Sequence, residues 1–180
     1  MKLSFPHKVL FSQEQIQGRV KSMAKDINRD YAETELVMVC ILKGAAPFFS
    51  DLLKHINAPV RVEYMSASSY KGGTKSTGKV NIECKFEKSL KGSHVLIVED
   101  IIDSGLTVGR VYEKLQSQEP YSLTICSLLY KIRDRKISIP YINYNGFDVQ
   151  KSDFVVGYGM DYRGLYRNLP YIVKLKSKDR

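Results

Sequence analysis

The sequence has few of the residues that build disulfide frameworks and metal centres. Its 180 residues contain three cysteines and three histidines. The cysteines stand far apart in the chain: Cys40, Cys84 and Cys126. Cys40 and Cys126 fall in apolar runs, which favours buried free thiols over a disulfide or a metal site. The histidines match no ligand spacing, so we expect structural or surface roles for them.

Long apolar runs and linkers are missing as well. No run of apolar residues is long enough to cross a bilayer, and the first residues lack the charged-then-apolar pattern of a leader peptide. We therefore expect a cytoplasmic protein with no membrane partner. Because no internal repeat or composition break divides the chain, we predict a single domain over residues 1–180.

Acidic residues are in the minority, with 19 Asp and Glu against 28 Lys and Arg, for a net charge of +9. A basic balance of this size favours an anionic partner, namely nucleic acid, a membrane surface or a polyphosphate substrate. The basic residues are scattered and form no RNA-recognition string. No nucleic-acid partner is therefore expected, and a polyphosphate substrate is favoured.

Apolar periodicity predicts alternating helices and strands. A helix is predicted over 11–31, with Ser12 and Gln15 as a capping box. Further helices are predicted over 47–55 and 108–116. Strands are predicted over 36–42, 60–64, 80–84, 95–98, 123–130, 154–156 and 171–173. Residues 131–152 read as irregular, with a turn near Asn145 and Gly146. The alternation predicts an α/β fold with a mainly parallel central sheet flanked by helices.

The most informative segment is residues 95–107, which read VLIVEDIIDSGLT. An apolar strand is followed by two adjacent carboxylates, Glu99 and Asp100, and then by Asp103 and a small polar turn before a helix. Such a turn exposes backbone N–H groups at the positive end of a helix, where a phosphate binds. The carboxylates cannot usefully face that phosphate, so they would serve sugar hydroxyls, a metal ion or a proton. A sugar phosphate is the predicted ligand.

Other polar groups stand at the carboxyl ends of predicted parallel strands, where ligands of such sheets bind. Lys43 and Gly44 break the chain directly after one strand, and Lys131 ends another. We expect these residues and the segment Glu99–Thr107 to converge on one cleft.

The string from Glu99 to Thr107 resembles the phosphoribosyl-pyrophosphate motif of the type I phosphoribosyltransferases, especially their hypoxanthine-guanine branch. Three further segments are similar to the family in order and spacing: Leu42-Lys43-Gly44, Ser127-Leu128-Leu129-Tyr130-Lys131, and Phe154 to Tyr162 with the following Arg167. The resemblance covers about residues 35–173. It implies the type I phosphoribosyltransferase fold, with a small hood and a mobile lid loop over about residues 66–79 that includes Ser69 and Tyr70.

The resemblance also implies roles on the phosphoribosyl side. Glu99 and Asp100 would hold the ribose hydroxyls, directly or through Mg²⁺. The turn Asp103, Ser104, Gly105, Leu106 and Thr107 would bind the 5′-phosphate. Some relatives carry a basic residue where Leu106 stands, so contact there would rest on backbone N–H groups.

On the pyrophosphate and purine sides, it implies that Lys43, Gly44 and Arg167 hold the pyrophosphate, with a cis peptide bond before Lys43. Asp161 would lie near a second Mg²⁺. Lys131 would donate to the exocyclic oxygen of a 6-oxopurine, and an ammonium disfavours the amino group of adenine. Phe154 would stack on the base, and backbone groups near Asp153 and Val155 would read its edge. Asp103 would act as general base.

The resemblance implies Mg²⁺-dependent transfer of the phosphoribosyl group from 5-phosphoribosyl-1-pyrophosphate to hypoxanthine or guanine, by a homodimer or homotetramer. Two alternatives stay open. A transferase of the same fold could take xanthine or adenine, although Lys131 argues against adenine. An RNA-binding regulator built on this fold would suit the +9 charge but would not need Asp103 or Phe154.

Overall fold

Residues 5–69, 80–132 and 141–175 are described by the structure, which is a computed structural model of the chain. The helices in this part of the chain are α1 (Gln13–Asp30), α2 (Ala46–Leu53) and α3 (Leu106–Gln116). The strands are β1 (His7–Phe11), β2 (Leu36–Leu42), β3 (Val60–Ser69), β4 (Val80–Cys84), β5 (His94–Ile102), β6 (Ser122–Ile132), β7 (Tyr144–Gln150), β8 (Val155–Val156) and β9 (Ile172–Leu175).

A six-stranded sheet forms the centre of the molecule, in the order β4-β3-β2-β5-β6-β7. All neighbouring strands are parallel except β3 and β4. One face packs against α1 and α2, and the other against α3, so each face has its own apolar core. Strands covered on both faces need continuous apolar sequence, and Leu36 to Ile41 are all buried. The predicted α/β architecture is confirmed.

A second, three-stranded antiparallel sheet forms the hood, in the order β1-β9-β8. Its small core contains Phe5, Val156, Val173 and two leucines. Strand β1 was not predicted, because the apolar periodicity of the predicted helix begins at Phe11. Phe11 instead closes β1, and Ser12 caps α1 through the predicted capping box with Gln15.

The prediction that residues 131–152 are irregular is wrong for its second half. Residues 144–150 form β7, parallel to β6, and Asn145 and Gly146 lie inside this strand instead of in a turn. Gly146 is required by close packing: a Cβ at this position would lie 2.2 Å from the backbone oxygen of Leu128. Arg19 of α1 donates to the carbonyl oxygens of Asn145 and Gly146, at 2.5 and 2.8 Å.

The predicted loop over residues 66–79 does not begin at residue 66, because β3 extends to Ser69. Residues 66–69 continue β3 and pair with β4 in antiparallel register, with Ser69 opposite Val80. The rest of the predicted lid, including Tyr70, lies outside the described residues. No helix in the described part of the chain is long and apolar enough to cross a membrane.

Two glycines should respond in opposite ways to alanine. Gly18 is exposed within α1 and a Cβ there would meet nothing within 4 Å. Gly18→Ala should therefore raise the free energy of unfolding by roughly 0.5–1 kcal/mol, because glycine is a poor helix former. Gly146→Ala should lower it by roughly 1–3 kcal/mol, because the added Cβ overpacks against β6. Urea denaturation of both variants checks this, and a shift of the same sign in both would contradict it.

Candidate active site

Three central strands end in polar residues at the same edge of the sheet. Lys43 and Gly44 follow β2, and the Leu42–Lys43 peptide bond is cis, as the resemblance implies. Glu99 and Asp100 lie in the last part of β5, which extends to Ile102, and Lys131 lies near the end of β6. Gly44 packs against Asp100 so closely that a Cβ on Gly44 would lie 1.8 Å from Asp100 Oδ2. The structure thus brings the predicted segments together.

An ion pair stands in the cleft at this edge. The cleft has a volume of about 220 Å³ and is lined by residues from β5, β6 and the hood. Lys131 Nζ donates to Asp103 Oδ2 at 2.8 Å. The lysine side chain is 11% exposed and the carboxylate 47%. A cationic donor and an anionic acceptor therefore face the cleft side by side.

Two adjacent carboxylates lie at the base of the site. Glu99 is buried, and both desolvation and the charge of Asp100 raise the pKa of the Glu99 carboxyl well above its ordinary value. Asp100 Oδ1 accepts the N–H of Ile101 at 2.9 Å, and Glu99 Oε1 accepts that of Asp100 at 3.2 Å. A buried carboxylate such as Glu99, beside a second carboxylate, is costly unless hydroxyl donors or a cation compensate it.

The acidic pair fits Mg²⁺ of the kind that is shared with a substrate. Within residues 5–69, 80–132 and 141–175, no three His, Cys, Asp or Glu side chains are grouped as a complete protein cage would require. Mg²⁺ is commonly held by one or two carboxylates together with substrate oxygens. Glu99 and Asp100 supply those carboxylates side by side at the end of β5, with Asp100 lining the cleft.

A second, smaller hollow of about 80 Å³ lies at the start of α3. Asp103, Ser104, Gly105 and Thr107 line it. Gly105 caps the helix with a φ of 87°, a left-handed conformation that glycine adopts without steric cost. Ser104 Oγ accepts the N–H of Leu106 at 3.4 Å. The first N–H groups of a helix have no intrahelical acceptor, so the hollow suits a phosphate.

Phe154 closes the cleft from the hood side. Its side chain is 40% exposed, although it lies between buried neighbours, and the edge of its ring meets Tyr162 at 6.1 Å between centroids. Val155 lines the same cleft. The N–H of Asp153 donates to Gln150 O at 2.9 Å, and Phe154 O accepts the N–H of Leu175 at 2.9 Å. The ring of Phe154 is thus available as a flat apolar surface for an aromatic ligand.

Arg167 and Asp161 also line the cleft, and they bind each other. Arg167 donates to Asp161 Oδ1 and to the carbonyl oxygen of Gly159, both at 2.6 Å. Asp161 Oδ2 accepts the N–H of Gly164 at 2.8 Å. In this arrangement the guanidinium predicted for pyrophosphate and the carboxylate predicted for a metal neutralise each other within the cleft.

The hood is joined to the loop after β2 by direct backbone packing. A Cβ on Gly159 would lie 1.9 Å from the carbonyl oxygen of Gly44. Nearby, the hydroxyl of Tyr158 donates to Asp51 Oδ2 of α2 at 2.8 Å. Desolvation by burial, together with this hydrogen bond, raises the pKa of Tyr158. Sequence reasoning missed these contacts, since the partners lie far apart in the chain.

Sequence reasoning also missed two apolar residues of the cleft, Ile101 and Met160. Ile101 directly follows the acidic pair, so its place in the motif could have suggested it. Of the predicted residues, Ser69 has only its backbone described, within β3, and Tyr70 lies outside the described residues. Most of the other predicted residues line the cleft or the phosphate hollow. The exceptions lie in the adjoining elements: Lys43, Gly44, Leu106 and Asp153.

The chain is similar to known proteins along most of its length. Residues 9–163 match the phosphoribosyl transferase domain family. The chain is 46% identical over 170 residues to the hypoxanthine-guanine phosphoribosyltransferase of Staphylococcus epidermidis, covering 94% of each protein. It is 41% identical to the hypoxanthine-guanine-xanthine phosphoribosyltransferase of Tritrichomonas foetus, covering 94% of this chain and 92% of the relative.

Solved structures give the same result. The hypoxanthine phosphoribosyltransferase of Staphylococcus aureus superposes with a TM-score of 0.88 at 45% identity, covering 95% of this chain and 92% of the other. The Trypanosoma cruzi enzyme in complex with its product IMP also has a TM-score of 0.88, at 36% identity and full coverage of both chains. By sequence and fold, the chain belongs to the hypoxanthine-guanine phosphoribosyltransferases of the phosphoribosyltransferase family.

Proposed function

We propose that this protein transfers the phosphoribosyl group of 5-phosphoribosyl-1-pyrophosphate to N9 of hypoxanthine or guanine, giving IMP or GMP and pyrophosphate in purine salvage. The observation that carries the proposal is the Lys131–Asp103 pair, with 2.8 Å between the ammonium and the carboxylate. The exocyclic oxygen and N7 of a 6-oxopurine are neighbours on one edge of the ring. The pair therefore offers a donor to the oxygen and an acceptor for the N7 proton.

The remaining groups divide between the two ends of the substrate. Phe154 provides a stacking surface, and backbone groups near Asp153 and Val155 read the base edge. Ser104, Gly105, Leu106 and Thr107 bind the 5′-phosphate through backbone N–H groups and hydroxyls, as the hollow at α3 supports. This arrangement sets the sugar between the phosphate hollow and the purine surface, which orients its anomeric carbon toward N9.

Between these ends, Glu99 and Asp100 hold the ribose hydroxyls and Mg²⁺. Lys43, Gly44 and Arg167 hold the pyrophosphate, and Arg167 exchanges its bond to Asp161 for phosphate oxygens, which suit a guanidinium fork. Asp161 is then free for a second Mg²⁺. When bound, Mg²⁺ stabilises the negative charge of the departing pyrophosphate. The predicted lid would exclude water from the reacting sugar. Ser69 ends β3 where that lid would begin, and Tyr70 lies outside the described residues.

The acting form is proposed to be a homodimer or homotetramer in the cytoplasm. Exposed aromatic side chains support an assembly: Tyr64 is 52% exposed and Tyr121 is 76% exposed.

Substrate choice is tested by a base panel. With phosphoribosyl pyrophosphate and Mg²⁺, hypoxanthine or guanine should be converted to nucleotide and adenine should not, because the Lys131 ammonium repels an amino group.

Lys131→Met should reduce kcat/KM for the 6-oxopurine by about 10-fold to 200-fold, as for a lost charged hydrogen bond. Conversion is followed by chromatography of the nucleotides. Xanthine belongs in the panel because the Tritrichomonas foetus relative is named for it.

No conversion of any base by folded protein would refute the enzyme proposal. Salt-dependent retention of RNA in the same sample would then favour the RNA-binding regulator.

Asp103 is tested through the chemical step. Asp103→Asn keeps the size of the side chain but removes the proton acceptor, so turnover should fall on the order of 10²–10⁴-fold. Single-turnover kinetics measure the effect, because product release can hide it in the steady state. The control is Asp148→Asn on β7. The Asp148 carboxylate accepts a hydrogen bond from the Asn145 side chain and does not line the cleft. A single-turnover rate close to that of the unmodified protein would rule out Asp103 as the general base.

The buried Glu99 carboxylate should lower the stability of the unliganded protein, although the same carboxylate helps to bind phosphoribosyl pyrophosphate. Because its folded pKa is raised, the folded state keeps the Glu99 proton longer than the unfolded chain does. The contribution of Glu99 to the free energy of unfolding is therefore most favourable below the unfolded pKa of about 4.3. It falls as pH rises toward the folded pKa. Glu99→Gln should unfold at a higher urea concentration than the unmodified protein at pH 8, yet bind phosphoribosyl pyrophosphate more weakly. Denaturation at pH 4 and 8, with calorimetric titration, checks both. A lower stability of the variant at pH 8 would contradict this account.

A further inference from the structure

One buried carboxylate near the cleft has no part in the chemistry described above. The side chain of Asp153 is 4% exposed and forms an ion pair with Lys174 of β9, whose side chain is 37% exposed. The proposed reaction uses only the backbone near Asp153. A carboxylate buried to this extent needs compensation, and Lys174 supplies it from another strand.

The ion pair belongs to a set of bonds that hold the segment carrying Phe154. Asp153 Oδ2 accepts the N–H of Gln150 at 3.2 Å, and the N–H of Asp153 donates to Gln150 O at 2.9 Å. On the other side of the ring, Val155 stands opposite Lys174 in the β8–β9 register. The N–H of Leu175 donates to Phe154 O at 2.9 Å. Strand β9 is therefore bound to Asp153 through the Lys174 side chain and to Phe154 O through the N–H of Leu175.

Loss of the Lys174 charge would act on the position of the ring. Without the Lys174 charge, the segment loses its ion pair with β9, and the uncompensated Asp153 carboxylate lowers its free energy by turning toward solvent. Because Asp153 directly precedes Phe154, this movement would displace the ring and the backbone at Val155. Both residues line the cleft.

We propose that Lys174 is a positioning residue for the purine: its ion pair with buried Asp153 fixes the backbone of residues 153–155, and thereby the stacking surface of Phe154. The inference rests on the proposed function of this segment. It concerns the purine only. The groups proposed for the ribose and the 5′-phosphate lie on β5 and at the start of α3, outside the hood, and Arg167, proposed for the pyrophosphate, is held by Asp161 and Gly159 instead of by Lys174. A residue that merely stabilises the fold would not distinguish between the two substrates.

The test compares Michaelis constants for both substrates. In Lys174→Met, the KM for hypoxanthine should rise about tenfold, since small displacements of positioning groups have effects of this order or larger. The KM for phosphoribosyl pyrophosphate should change less than about twofold, because its proposed contacts are untouched. Lys174→Arg keeps the charge and should restore the purine KM. The matched control is Lys8→Met, since Lys8 is exposed and stands opposite Lys174 in the β1–β9 register.

A double variant separates positioning from folding. Asp153→Asn with Lys174→Met removes the unpaired buried charge, so it should fold even where the single variant is unstable. It still lacks the bond to β9 and should keep the raised purine KM. A normal purine KM in the double variant, or equal changes in both Michaelis constants, would overturn the proposal.

A measurement without substrate keeps this inference distinct from the proposed activity. Amide hydrogen exchange at Gln150 and Leu175, whose N–H groups bond Asp153 and Phe154, should be faster in Lys174→Met than in Lys8→Met. Unchanged exchange would overturn the positioning role even if the enzyme is active. Faster exchange in a protein that converts no purine would retain Lys174 as the anchor of the segment and reject the proposed function instead.

Discussion

The site depends on the parallel register of three strands. Cys40 of β2, Val98 of β5 and Cys126 of β6 stand side by side across the sheet. Each strand continues only a few residues beyond this level, so the loop after β2, the acidic end of β5 and the end of β6 share one edge. Backbone hydrogen bonds therefore set the distances among groups that are far apart in the chain. The hood adds the fourth side of the cleft, with Phe154 opposite these ends.

The charges of the cleft are arranged in two ways. Asp103 is matched by Lys131, and Asp161 by Arg167, so neither carboxylate faces the cleft without a cation. Glu99 is different, because it is buried beside Asp100 and has its pKa raised by both desolvation and the neighbouring charge. In the proposed reaction, the matched pairs meet the base and the pyrophosphate. Glu99 and Asp100, which are poorly compensated, meet the sugar hydroxyls and Mg²⁺. Such partners lower the free energy of these carboxylates more than that of carboxylates already paired with a cation.

Much of the fold and the site follows from local sequence patterns. Continuous apolar strands, the capping box at Ser12 and the strand-turn-helix around Asp103 each depend on neighbouring residues, and all were predicted. Strand β7 was missed because Asn145 and Gly146 are typical of turns. Their place is decided by contact with Leu128 and Arg19. The bonds between Lys174 and Asp153, and between Tyr158 and Asp51, join residues that no local pattern relates.

The contact of Gly159 with Gly44, and of Gly44 with Asp100, limits which sequences this site tolerates. Three segments pack together here, and at Gly44 and Gly159 a hydrogen atom stands where any other residue carries a side chain. A side chain at Gly159 would force the hood away from the loop after β2, and one at Gly44 would displace the Asp100 carboxylate, so neither position can change without a change at its neighbour. Both glycines lie within the strings by which the family is recognised. Part of the family's sequence signature therefore reflects close packing of these segments, and the rest reflects the chemistry of the site.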